Sequence, residues 1–283
     1  TAIGQNALKV QNFTTATDSG NTAVGYAAGE AVTTGIENTL IGFQAGDDLT
    51  DSDRNTAVGA YALHTNTLGQ YNTALGYAAL NTANHTTATD AYNVAVGYSA
   101  GQNLTTGTAN TLIGALAGDA LTNADDNVAL GVGALGSDTL GSHSVALGKD
   151  ALESQNFTTA TDSNNTAVGY QAGLRVTTGI QNTLIGALSG DALTVGSGNI
   201  AVGINSLTSD TKGSHTVGIG NGALATQNFT TATDVFNVGI GYAAGNAVTT
   251  GLQNTILGGV AGDALTDADF NVAIGTFALT GDT

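Results

Sequence analysis

The chain has no cysteine, proline, methionine or tryptophan, and only five lysines and arginines in 283 residues. A globular domain of this length usually contains some of each missing type. The lack of cysteine excludes a disulfide scaffold, a thiolate metal site and a cysteine nucleophile. The shortage of cations argues against partners that need clustered positive charge, which excludes nucleic acid and anionic membranes. Long hydrophobic runs are also missing, so no helix of about 18 apolar residues can insert into a membrane. No signal peptide is visible. Aromatic residues make up 5% of the chain, and much of the 41% hydrophobic content is alanine. The expected core is therefore thin and regular.

What is present is acid, glycine and repetition. The net charge is −17, which suits divalent cations or a solvated surface that limits self-association. Glycine occurs 41 times. The phrase N-T-A-V-G, with small changes, begins at Asn21, Asn38, Asn55, Asn72, Asn93, Asn110, Asn127, Ser144, Asn165, Asn182, Asn199, Thr216, Asn237, Asn254 and Asn271. The intervals run 17, 17, 17, 21, so four units make a block of 72 residues. QNFTTATD lies in the longer unit, and its third residue recurs as Phe13, His85, Phe157 and Phe229. The sequence thus reads as one repetitive segment, 1–283, with blocks 21–92, 93–164 and 165–236, a partial block 237–283 and a partial coil 1–20. Both ends read as cut within a repeat of something longer.

Positions are counted from the asparagine of each phrase. The fourth is always a branched aliphatic: Ile3, Val24, Ile41, Val58, Leu75, Val96, Ile113, Leu130, Leu147, Val168, Ile185, Val202, Ile219, Ile240, Leu257 and Ile274. The fifth is always glycine. The eighth is alanine apart from Ser189 and Ser206, and the ninth runs Gly, Gly, Leu, Leu through each block. A period of 17 fits no heptad. A short β-branched run ending in glycine reads as a strand and a sharp turn, with a second short strand at the eighth position and polar turns elsewhere. Two short strands and a loop per unit make one coil of a parallel β-solenoid, an all-β fold. Stacking at about 4.8 Å places every position above its own copy, so sixteen coils would extend about 75 Å. The aliphatic column is the expected core ladder. Asn21, Asn38, Asn55, Asn72, Asn93, Asn110, Asn127, Asn165, Asn182, Asn199, Asn237, Asn254 and Asn271 are the expected amide ladder.

The third position is usually alanine, but in the second coil of each block it is Leu40, Leu112, Leu184 or Ile256. Those strands are apolar on both faces, and one face can fill the coil's own lumen while the other needs a partner. Burying one large aliphatic per coil stabilises by about 1.5–3 kcal/mol, against roughly 1 kcal/mol or more for each of the ordered backbones. Association of chains is therefore expected.

Ser144-Val145-Ala146-Leu147-Gly148-Lys149-Asp150-Ala151 resembles the head repeat of YadA-like trimeric autotransporter adhesins, roughly S-V-A-I-G-x-x-A/S. Asn127-Val128-Ala129-Leu130-Gly131 and Asn271-Val272-Ala273-Ile274-Gly275 match equally well, and the likeness covers every coil. The resemblance implies a left-handed parallel β-roll (a β-solenoid) of three tightly bundled chains, displayed outside the cell and working in adhesion. Family repeats are shorter than these, and neither a coiled-coil stalk nor a membrane anchor is present. Similar repeats also occur in phage tail fibres. The functional expectation is a structural and adhesive rod segment of an extracellular fibre or surface filament, a homotrimer presenting repeated polar loops to a surface receptor or matrix. The alternative is a phage tail fibre shaft, placed on the virion tail.

Site chemistry is sparse. No nucleophile elbow, HExxH or P-loop occurs, and columns that repeat do not make one unique constellation, so no enzyme is expected. Acids cluster on turns at Asp47, Asp51, Asp53, Asp119, Asp263, Asp267 and Asp269, a pattern that could ligate calcium in a calcium-dependent binding module, the lesser alternative. Solvated turn acids are the competing reading. No other cofactor is implied. Asn12, Asn84, Asn156 and Asn228 begin N-x-T sequons in the long loop. Its aromatic is expected to pack the loop against a neighbouring coil or chain.

Overall fold

In a computed structural model, residues 1–281 are described, and they contain strands, turns and loops with no helix. No helix among them is long and apolar enough to cross a membrane. The chain divides into two compact units, residues 1–142 with 158–160, and residues 143–157 with 161–283. Each is a stack of eight phrase strands. In the first these run from Ala2–Ile3 and Thr22–Val24 through Thr111–Ile113 to Val128–Leu130. In the second they run from Val145–Leu147 to Val272–Ile274. All pairings are parallel, and each position pairs with its own copy, as in Thr22↔Thr39, Ala23↔Leu40 and Val24↔Ile41. Each unit is thus a parallel β-solenoid with coils of about 17 residues. The 21-residue coils keep this register, since Leu75 still pairs with Val96. The four extra residues leave the sheet as a loop.

The phrase glycine is required twice over. Gly25 has φ +143°, and a Cβ there would lie 2.2 Å from the carbonyl oxygen of Gly42 in the next coil. Gly114 repeats this at +134° and 2.5 Å from Gly131. Any side chain in this column would push the coils apart.

The aliphatic column is in register but is not the interior. Ile41 and Leu130 are 38% and 45% exposed, and the column from Ile3 to Ile274 lines the outward face of the sheets. The buried strand residue is the third: Ala23, Leu40, Ala57, Ala74 and their copies. The expected core ladder is corrected accordingly. Alternation puts the third and fourth positions on opposite faces, and the narrow lumen takes the smaller one. Leucine enters at the third position only where the ninth is glycine. A Cβ on Gly29 would lie 2.6 Å from Leu40 Cδ1, and one on Gly46 would lie 2.8 Å from Leu40 Cδ2. In the next two coils the third position is alanine, and Leu63 and Leu80 fill the lumen instead. The Gly, Gly, Leu, Leu order is thus a volume exchange that keeps the interior close-packed.

The expected second strand at the eighth position is also corrected. Residues around the buried Ala28 and Ala45 form a turn. The reason is local: Ala27 has φ 53° and Gly29 has φ 61°, and left-handed residues cannot continue an extended strand.

The asparagine column is buried from Asn21 to Asn254, and Asn271 is half-buried. Its bonds run chiefly from side chain to backbone. Asn21 Oδ1 accepts the Asn38 amide at 2.8 Å, and Asn38 Nδ2 donates to the Ser52 carbonyl at 2.7 Å. Asn182 and Asn199 repeat the pattern in the second unit. Each amide satisfies turn groups of the adjoining coil that no strand partner reaches.

Urea unfolding of variants tests this packing. Leu112→Ala should cost about 2–5 kcal/mol. Gly114→Ala, both strained and obstructed, should cost on the order of 3 kcal/mol. A neutral Gly114→Ala would contradict the close coil-to-coil approach.

Candidate functional site

The turn acids have different partners. Asp53 Oδ1 accepts the Ile36 amide at 2.8 Å, Asp125 Oδ1 the Thr108 amide at 2.7 Å, and Asp269 Oδ1 the Leu252 amide at 2.7 Å. In the third block Ser197 Oγ takes the same role for Ile180. These side chains cap the preceding coil, which explains how a serine can replace an aspartate there. Asp51 Oδ1 accepts from Thr34 Oγ1, and Asp267 Oδ1 from Thr266 Oγ1. Asp119 is pushed up by burial, and Asp263 Oδ1 is buried without a hydrogen bond. Among the described residues, Asp51, Asp53, Asp119, Asp263, Asp267 and Asp269 form no group of three with metal-ligand spacing.

One mixed cluster does form. Asp47, Asp48 and His64 each offer a ligand atom, all within 4.8 Å of one another. Asp47 Oδ2 accepts from Gln44 Nε2 at 3.2 Å, while Oδ1 lies 3.3 Å from His64 Nε2 without hydrogen-bond alignment. The imidazole suits a transition ion better than calcium, which takes oxygen ligands. His64 was not linked to Asp47 in the sequence reading. The signal was there: the two are 17 residues apart, so they hold the same position in successive coils.

Exposed aromatics form a second arrangement that the sequence reading missed. Tyr26, Phe43, Tyr61, Tyr77 and Tyr98 make a ring-to-ring strip with centroid separations of 5.2, 5.3, 5.9 and 5.5 Å. It runs beside the outward aliphatic column. Just before the asparagine column, Arg54 donates to Glu37 Oε2 at 2.7 Å and to Tyr71 Oη at 2.8 Å, and Tyr71 stacks on Tyr92 at 5.0 Å. Every one of these neighbours is 17 or 21 residues from the next, apart from Tyr61, one position off.

The long loops project Thr86 to Ala88 and Thr230 to Ala232 into solvent. Beneath them the third loop residue is buried: Phe157, Phe229 and His85 are 5%, 7% and 4% exposed. Phe13 is half-buried. The sequon residues Asn12, Asn156 and Asn228 are exposed, while Asn84 is half-buried and accepts from Thr67 Oγ1 at 2.8 Å.

Burial is the main force raising the Asp47 carboxyl, to about 6; His64 opposes it and Asp48 adds to it. With the folded value above the ordinary one near 4, the folded state takes up a proton first. Stability from this group should therefore grow as pH falls from about 6 toward 4, and be lost as pH rises through about 6. Carboxyl NMR should show the Asp47 midpoint near 6, moving higher in His64→Gln. A midpoint in the ordinary range would contradict the burial.

No protein-family profile matches the chain, and no curated protein matches it at a significant level.

Proposed function

We propose that the chain is a structural and adhesive rod segment of an extracellular fibre, built from three copies with left-handed coils. The observation that supports this best is the outward face of each sheet. Ile41, Leu130, Ile185, Ile200 and Leu257 are exposed in columns, with Tyr26, Phe43, Tyr77 and Tyr98 beside them in the first unit. Contiguous exposed apolar surface of this kind marks an association face. A second copy offers the same columns at the same spacing, so each aliphatic row meets an equivalent row. The resemblance to trimeric adhesin head repeats gives the number three and the handedness. The long loops, with their exposed Thr-Thr-Ala tips, are the parts left to meet a receptor or matrix.

The calcium-dependent reading is weaker, because Asp53, Asp125 and Asp269 already bind backbone amides.

Analytical ultracentrifugation at micromolar concentration should give a species of three times the 27.8 kDa chain mass. Ile41→Lys together with Ile113→Lys should shift it toward monomer while leaving the far-ultraviolet circular dichroism unchanged. A monomeric wild type would sink the proposal, as would a trimer indifferent to both lysines. Calcium should leave the melting temperature within about 1 °C, since among the described residues the grouped ligands are only Asp47, Asp48 and His64, too few oxygens for a calcium site of six to eight.

A further inference from the structure

The long loop of residues 83–92 differs from its later copies at linked positions. In the second unit, Asp210 is fully buried and ties the loop down. Its carboxylate accepts from the Gly213 amide at 3.0 Å, the Phe229 amide at 3.1 Å and Gln227 Nε2 at 2.6 Å. Seventy-two residues per block place Asn66, Ala83 and His85 at the corresponding positions of the first block. Asn66 Oδ1 still accepts the Gly69 amide at 2.9 Å, but Ala83 offers nothing in place of Gln227. Other anchors are the Ala83 amide on the Leu80 carbonyl, the Asn84 amide on the Thr105 carbonyl, the Ala91 amide on the Gln70 carbonyl, Thr67 Oγ1 on Asn84 Oδ1 and the His85 carbonyl, the short parallel pair Gly69–Gln70 with Thr89–Asp90, and Tyr92 stacked on Tyr71. More of the closure therefore rests on the docked ring.

That ring is an imidazole where the other copies carry phenyl. It is 4% exposed, and neither Nδ1 nor Nε2 has a hydrogen-bond partner. Gly69 closes the slot: a Cβ there would lie 2.6 Å from both His85 Nδ1 and Asn66 Oδ1. The charged group acting on the ring is Asp125, whose Oδ1 already accepts from the Thr108 amide and hydroxyl. Asp125 and the nearby Thr106 backbone favour the cation, yet burial outweighs both and holds the ring's pKa below its ordinary value. A neutral imidazole fits this buried slot where the other copies hold a phenyl, whereas an imidazolium loses more to burial than Asp125 and the Thr106 backbone return, and gains by leaving for water.

We propose that His85 makes the loop 83–92 an acid-released latch, closed while the ring is neutral and opened by its protonation. The sign follows from linkage. The released ring titrates near the ordinary value of about 6.5 and the docked ring lower. Closure is thus fully favoured above about 6.5 and weakens as pH falls below it. Opening exposes Asn84, the one half-buried sequon asparagine of the four long loops, in the first block alone.

Hydrogen exchange of the full chain at pH 7.5 and 5.0, corrected for the intrinsic rate, tests this. Protection in 83–92 relative to 227–236 should drop by up to about thirtyfold at pH 5.0, the limit set by 1.5 pH units. His85→Phe, the residue its copies already use, should flatten the dependence. An equal ratio at both pH values overturns the latch, as does a ratio that survives in His85→Phe. Imidazole NMR on the wild type decides independently: a His85 midpoint below 6.5 supports the latch, and one at or above 6.5 refutes it.

Discussion

Everything in this molecule depends on one constraint: the backbone of each coil must hydrogen-bond to the next in register, with every residue beneath its own copy. The Gly25 amide bonds to the Ile3 carbonyl and the Gly42 amide to the Val24 carbonyl, at 2.8 and 2.9 Å. Those bonds bring backbones so close at the phrase glycine that a single added carbon would collide. They also convert sequence spacing into spatial adjacency. Residues 17 apart touch, and so do residues 21 apart across a long coil.

The other features follow from that stacking. The lumen is narrow, so Leu40 can enter only over Gly29 and Gly46, and the next coils reverse the arrangement with Ala57 and Leu63. Turn carbonyls and amides that no strand reaches are taken up by the asparagine column. Register stacking also lines up exposed turn side chains in columns, which is why chemistry accumulates as strips: tyrosine beside tyrosine, Arg54 between Glu37 and Tyr71. A fold of this kind makes surfaces by repetition.

Local departures from the repeat carry the most information. Ser197 replaces an aspartate cap without loss of the bond. His64 gives Asp47 a neighbour that the matching Thr208 gives Asp191 as a hydroxyl donor. Asn66, Ala83 and His85 depart together from Asp210, Gln227 and Phe229, which marks them as one structural unit.

The period, the parallel stacking and the need for glycine were legible in the sequence, because they rest on spacing and on backbone geometry that side chains cannot alter. So was the pairing of Asp47 with His64, which stand 17 residues apart and hold the same position in successive coils. Which face of the strand turns inward was not legible. Alternation says only that Ala23 and Val24 oppose each other, and choosing between them depends on the lumen's width, a property of the closed coil. Likewise, the sequence marked Phe157, Phe229 and His85 as equivalent, but only the folded loop shows them buried and leaves the imidazole nitrogens without a partner. Burial and hydrogen-bond satisfaction are properties of what surrounds a residue, and that is settled in three dimensions.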